Sequence, residues 1–293
     1  MAMTGDGAAV GGRLSSPPRP GHMPAMEPML IFDRAAVRAY RRRAARAPAG
    51  SDFLIREVAA RLADRLADIS RPFAAVLDLG GQALLPALRC GPGGDVEAEE
   101  DALPFAPASF DLVISNLTLH QVNDLPGALL QVRQCLRPDG LFLAAMLGGD
   151  TLAELRQAMV EAETAEAGGA SPRVAPMADL RDAAGLLQRA GFALPVADAD
   201  RITVTYPDAL ALMRDLRHMG QANALAGRLR RFTRRGVLAR AAAIYADRHA
   251  GPDGRIPACF QVLHLAGWAP HASQQKPLRP GSAAHSLAAA LKG

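Results

Sequence analysis

The sequence predicts a doubly wound α/β domain with a ligand crevice at one sheet edge, and three observations predict it. Residues 109–150, SFDLVISNLTLHQVNDLPGALLQVRQCLRPDGLFLAAMLGGD, read as strand, helix, strand with each turn signal in place. About thirty residues upstream, AVLDLGG (75–81) is a buried-type strand that ends in an acid and two glycines, the usual way an open α/β sheet presents its ligand edge. The chain has 293 residues, 49% of them hydrophobic, enough for one large core.

Taken in order, residues 1–28 are rich in Gly, Pro, Ala, Ser and Met without a period and predict a flexible N-terminal extension, with Met23, Met26 and Met29 as alternative starts. One domain is expected over 29–272, its cap helices at about 207–250, followed by a flexible tail over 273–293. Asp33 is placed to cap a helix through Arg43. The arginines around it, Arg34, Arg38, Arg41, Arg42, Arg43 and Arg46, predict a solvated face, or a surface for an acidic partner or an organellar import receptor. Phe53, Ile55, Val58, Leu62, Leu66 and Ile69 give one apolar helix face, and the first strand follows.

A helix over Leu84–Cys90 and a short strand near Asp95–Ala98 come next, then strand 111–115, helix 125–136, a stop at RPDG (137–140) and strand 141–147. Asp150 is placed to cap a helix over 151–166, and Asp179 one that closes at Gly191. Phe192–Ala199 and Asp200–Tyr206 read as two antiparallel strands joined by an acidic turn. Helices over 210–219 and 238–245 and a strand over 258–268 complete the reading.

Composition limits the function. Lys and Arg number 33 against 29 Asp and Glu, too small an excess for a nucleic-acid field, so no nucleic-acid partner is expected. Cys90, Cys135 and Cys259 lack metal-ligand or CxxC spacing, which predicts packed thiols, a reducing compartment and no metal site. No apolar run has the length to span a bilayer, so no integral membrane segment is expected. A GxSxG elbow, an HExxH helix and a phosphate-cradling GxxxxGK[ST] loop are all missing from the sequence.

The order VLDLG, LPF-x4-FDLVIS, L-RPDG-LF and AGF resembles the class I S-adenosylmethionine-dependent methyltransferases, whose Rossmann-like sheet has seven strands. IFDRAAVR, LTLHQVNDLPGALLQ, GGDTL, DLRHMGQANAL and QVLHLAGW are similar to the bacterial relatives of the mitochondrial complex I assembly factor of that fold. The resemblance implies S-adenosylmethionine as cofactor. It implies Asp78 around the methionine amino group, Gly80 and Gly81 in the cofactor loop, Glu99 facing the adenine amino group and Leu103 on the ring. Asn116, which follows strand 111–115 at the carboxyl edge, is a further cofactor-binding candidate by its position. His120 is a candidate general base or substrate donor, with a structural hydrogen bond as its rival, and Asp150 is either a substrate-facing carboxylate or a helix cap.

The chain departs from the family pattern at two places. Gln82 and Leu84 stand where the family places further glycines, and only about twenty residues separate Gly81 from Leu103, room for one helix and one short strand. The sheet is therefore expected to be shortened by about one strand and one helix, with Glu97 as the nearest substitute for the ribose-binding acid. The function implied is a methyltransferase that modifies or assembles a subunit of a respiratory NADH dehydrogenase, in the bacterial cytoplasm or, in a eukaryote, the mitochondrial matrix. The alternatives are a non-catalytic assembly protein with a degenerate cofactor site and a protein arginine hydroxylase.

Overall fold

In the computed structural model, which describes residues 30–80 and 85–275, six strands form one sheet in the order β2-β1-β3-β4-β6-β5. They are β1 (Val76–Leu79), β2 (Leu88–Cys90), β3 (Phe110–Asn116), β4 (Leu136–Leu147), β5 (Ala193–Tyr206) and β6 (Ile256–Trp268). β1 pairs parallel with β2 and β3, β3 parallel with β4, and β6 antiparallel with both β4 and β5. The predicted doubly wound, mostly parallel α/β class is what is observed.

Strand residues alternate between two cores, because every second side chain of a pleated strand points to the same face. Leu112, Ile114, Leu141, Leu143 and Leu147 pack with helices α2 (Phe53–Ala67), α4 (Ala153–Ala167), α6 (Ala209–His218) and α7 (Arg235–His249). Leu77, Leu79, Val113, Phe142 and Met146 pack on the other face with α3 (Leu125–Cys135) and α5 (Leu180–Arg189). Burial on both faces explains why the central strands read as continuous apolar runs. The caps predicted for the first helix and for α5 are present: the Asp33 carboxylate accepts from Ala36 N at the start of α1 (Arg34–Ala44), and Asp179 accepts from Asp182 N.

Five expectations are corrected. Residues 88–90, expected in a helix, are strand β2, while the expected strand at 95–98 is reduced to a single parallel bridge between Val96 and Cys90. The chain returns beside β1 so soon that backbone pairing takes the residues a helix would need. β4 begins at Leu136, five residues early, with the RPDG turn absorbed as a register break in which Asp139 is left-handed.

β5 is one continuous strand rather than two. The carboxylates read as a turn, Asp198 and Asp200, lie mid-strand and are held by Arg65 and Arg61 of α2. Near its start Leu194 is left-handed (φ +48°), and the register shifts between Ala193 and Val196. Asp150 does not cap α4: the N-cap is Leu152, left-handed at φ +53°, with no side-chain cap bond. The expected extension over 1–28, Gly81, Gln82, Leu84 and the tail beyond 275 lie outside the described residues.

Candidate functional site at the carboxyl edge of the sheet

The strand order reverses between β1 and β3, and there β1 delivers a buried carboxylate, Asp78, followed by Gly80. Gly80 has φ +118°, and a Cβ at that position would stand 2.4 Å from the Thr118 methyl, so both backbone and space demand glycine. Thr118 is held against this tip by Ser115 Oγ at 2.8 Å. Gly91 presses on the other side, where a Cβ would meet the Gly80 backbone at 3.3 Å. β2 thus ends in Cys90 and Gly91, and no acid stands at its tip. Glu97 does not replace the ribose-binding acid, since it is an exposed partner of Arg42.

Helix α1 explains where the other acids of that segment go. Arg34, Arg38 and Arg41 recur at i, i+4 and i+7, hence on one face. That face docks on the segment after β2: Arg34 binds Glu99 and Glu100, Arg38 binds Glu99, and Arg41 binds Glu100. Arg34 also donates to Gln121 O at 2.7 Å and Arg41 to Thr118 O at 3.2 Å. Glu100 is only 2% exposed. Burial alone would raise its carboxyl pKa, but the charges of Arg41 and Arg34 hold it below the usual value. The arginine-rich face therefore has an acidic partner within its own chain. Glu99 is engaged by guanidinium groups, and Leu103 packs among the second core with its N–H on Gln131 Oε1 at 2.8 Å.

The opposite side of α1 borders a cavity of about 500 Å³. Its walls come from the 119–121 turn, the end of β4, α4, α6 and the 173–177 and 221–224 segments. His120 lies in this wall, 6% exposed. Its Nε2 is 2.9 Å from Gln221 Oε1, which also accepts from Gln121 Nε2 at 3.1 Å. His120 Nε2–H is thus the donor, and Nδ1 carries the lone pair. Burial lowers the His120 pKa to about 4, so the ring is neutral near pH 7 and lies well below the range of a poised general base. Its Nδ1 and the Oε1 of Gln121 are buried without a hydrogen-bond partner among the described residues.

Asn116 turns away from the edge and donates to Ile55 O of α2 at 3.0 Å. Asp150 stands outside the cavity wall, 65% exposed and 3.6 Å from Arg201, while the next residue, Thr151, lines the cavity. The edge thus gathers Asp78 and Gly80 at one point and His120 beside a separate cavity. Arg34, Arg41, Glu100 and Gln221 were not singled out as a connected set by sequence reasoning. The arginine spacing on α1 was the available signal for the first two.

A doubly wound sheet with an acid and a left-handed glycine at its switch point is the arrangement of Rossmann-like, cofactor-binding α/β proteins, a class that includes the methyltransferases. The comparisons agree: a methyltransferase domain family matches residues 62–144. The proteins named arginine-hydroxylase NDUFAF5, mitochondrial, are 42% identical in Mus musculus over 88% of this chain and 82% of the relative, and 40% in Danio rerio over 89% of each. A malonyl-[acyl-carrier protein] O-methyltransferase of Xylella fastidiosa is 41% identical over 57% of this chain and 55% of its own. Among solved structures, the YcgJ protein of Bacillus subtilis superposes with a TM-score of 0.48 at 14% identity, over 73% of this chain and 99% of that one. The chain belongs to the class I S-adenosylmethionine-dependent methyltransferase superfamily, in the branch that contains the NDUFAF5 proteins. Among the described residues no helix is long and apolar enough to cross a membrane.

The fit of S-adenosylmethionine differs along its length. The tip of β1, with Asp78 and the Gly80 backbone, suits the methionine end. The adenosine end finds no acid at the tip of β2, and the acid assigned to it, Glu99, is held by Arg34 and Arg38.

Proposed function

We propose that this chain is a methyltransferase that binds S-adenosylmethionine by its methionine end and modifies a protein, a subunit of a respiratory NADH dehydrogenase. The observation that carries the reading is the meeting of the buried Asp78 carboxylate and left-handed Gly80 at the switch point. The GGDTL and DLRHMGQANAL blocks support the choice of partner through the resemblance they carry. When bound, the cofactor supplies an electrophilic methyl group. The chain's own residues contribute orientation: Asp78 receives the amino group, the Gly80 backbone leaves room for close approach, and the walls of the cavity hold the acceptor side chain. The proposed setting is the bacterial cytoplasm or, in a eukaryote, the mitochondrial matrix.

A second reading, a non-catalytic assembly protein, is favoured by the ion pairs that take Glu99 and Glu100 out of reach of a nucleoside. Calorimetric titration with S-adenosylhomocysteine separates the two. Saturable binding weakened at least tenfold by Asp78→Ala supports the methyltransferase, and no heat at millimolar ligand overturns it. Intact-mass analysis of a treated NADH dehydrogenase subunit reads the chemistry: a methyl increment supports the proposal, and an oxygen increment assigns the hydroxylase activity that the relatives' names carry.

A further inference from the structure

The loop between α6 and α7 concentrates positive charge that the rest of the molecule lacks. From Leu216 to Ala246 the chain carries seven arginines and no Asp or Glu, so these 31 residues hold +7 against +4 for the whole chain, which leaves −3 for the remainder. Among the arginines of the loop, Arg228 and Arg230 share Asp33 at 2.9 and 3.6 Å. Arg231, Arg234 and Arg235 are exposed and have no carboxylate within ion-pair distance among the described residues. The fold gains nothing from Arg234 and Arg235, which stand at the start of α7, where no side chain caps the helix and its dipole disfavours cations. In the midst of these three stands Phe232, fully exposed at 101%. Leu30 and Ile31, exposed as well, are tied to the base of the loop, where Ala226 N donates to Ile31 O at 2.8 Å.

We infer that this loop docks the protein on the surface of an anionic lipid bilayer, with Arg231, Arg234 and Arg235 on the headgroup phosphates and the Phe232 ring at the boundary between headgroups and acyl chains. That boundary offers negative charge and apolar depth within one shallow layer, which is what guanidinium groups around a projecting ring require. Full exposure of Phe232 means that no neighbouring side chain forms a groove around it, as a peptide pocket or a platform for stacked bases would need. A soft planar surface needs no groove, and it takes the ring out of water. Thr233, in the same loop, lines the cavity beside His120, so a docked chain holds that cavity close to the bilayer. The inference stands apart from the proposed function, since it holds whether or not the sheet edge transfers a methyl group.

The test is flotation of the full chain with vesicles of phosphatidylcholine alone and of phosphatidylcholine mixed with phosphatidylglycerol, at about 0.1 M salt. Binding to the anionic vesicles is expected to be at least about tenfold tighter and to fall as salt is added. Arg231→Ser with Arg234→Ser is expected to weaken it about tenfold or more, whereas Arg181→Ser with Arg189→Ser, an equal loss of exposed charge on α5, should leave it within about twofold. Phe232→Ser is expected to weaken it about fivefold or more. Phe232→Trp reads depth: its indole emission should shift to the blue and be quenched by brominated acyl chains, measured against the wild type, whose single tryptophan is Trp268. No binding to anionic vesicles, equal binding to neutral ones, an equal loss in the α5 variant, undiminished binding of Phe232→Ser, or an unquenched Phe232→Trp overturns the inference. Tighter binding to polyuridylate or to polyglutamate than to anionic vesicles overturns it too, assigning the loop to a nucleic acid or to an acidic protein.

Discussion

The β1–β2 side of the sheet edge and the β3–β4 side are made from similar strand tips, but helix α1 finishes them differently. Toward β2 it lays Arg34, Arg38 and Arg41 on Glu99 and Glu100, and Gly80, Gly91 and Thr118 close the backbone in contact. Toward β4 the same helix borders an apolar cavity of about 500 Å³ with no Asp or Glu among its described lining residues. The first side has its charges neutralised within the chain, which stabilises the fold, whereas the second keeps an open apolar hollow at the sheet edge.

The largest effect is expected on the closed side. Glu100→Gln removes the acid between two buried guanidinium groups, and breaking such a pair costs about 3–5 kcal/mol, read as a lower urea midpoint. Glu97→Gln, whose pair with Arg42 is exposed, is expected to change stability by less than about 1 kcal/mol. Equal losses in the two variants would erase the distinction between a clasp and a surface contact. Next comes Gly80→Ala, which forces a side chain into a left-handed position and onto the Thr118 methyl and should destabilise by about 3 kcal/mol. Adding Thr118→Ser should restore part of that loss, and no recovery would show that the backbone alone sets it.

On the open side the informative variable is pH. His120 has a folded pKa of about 4 against 6.5 for the free side chain. The unfolded chain therefore binds its proton first, and stability falls as pH drops from 6.5 toward 4. Between pH 7 and pH 5 the loss from this group is about 2 kcal/mol. Urea unfolding at both pH values should show His120→Gln losing less than wild type by that amount, and identical slopes would mean the ring is solvated. The smallest effect belongs to Asp150→Ala: its pair with Arg201 is exposed on both sides, and a change beyond about 0.5 kcal/mol would refute that placement.

Most of the sheet was legible because strands buried on both faces leave continuous apolar runs, and Asp33, Asp179 and Gly191 punctuate helices by local backbone chemistry that sequence displays directly. The region after β1 was not, since Leu88–Cys90 is a strand only through pairing with β1, a contact no local pattern encodes. Asp198 and Asp200 looked like a turn because their arginine partners sit 133 and 139 residues away. Of the site, Asp78 and Gly80 were visible in one heptapeptide. The ion pairs of Glu99 and Glu100 were not legible because their partners lie 59 to 66 residues upstream on α1. The cavity joins residues around 40, 120, 150, 175 and 220, and only folding brings them to one place.

β5 is also the last strand of the sheet, and so has one row of backbone groups without a neighbouring strand. Its opening kink at Leu194, the adjoining Pro195 with no N–H to offer, and the side-chain charges at 198, 200 and 201 make that margin a poor template for another chain. A strand of 14 residues left straight and apolar there would invite edge-to-edge polymerisation. Association with other proteins is thereby steered away from the sheet border, toward surfaces where side chains choose the partner.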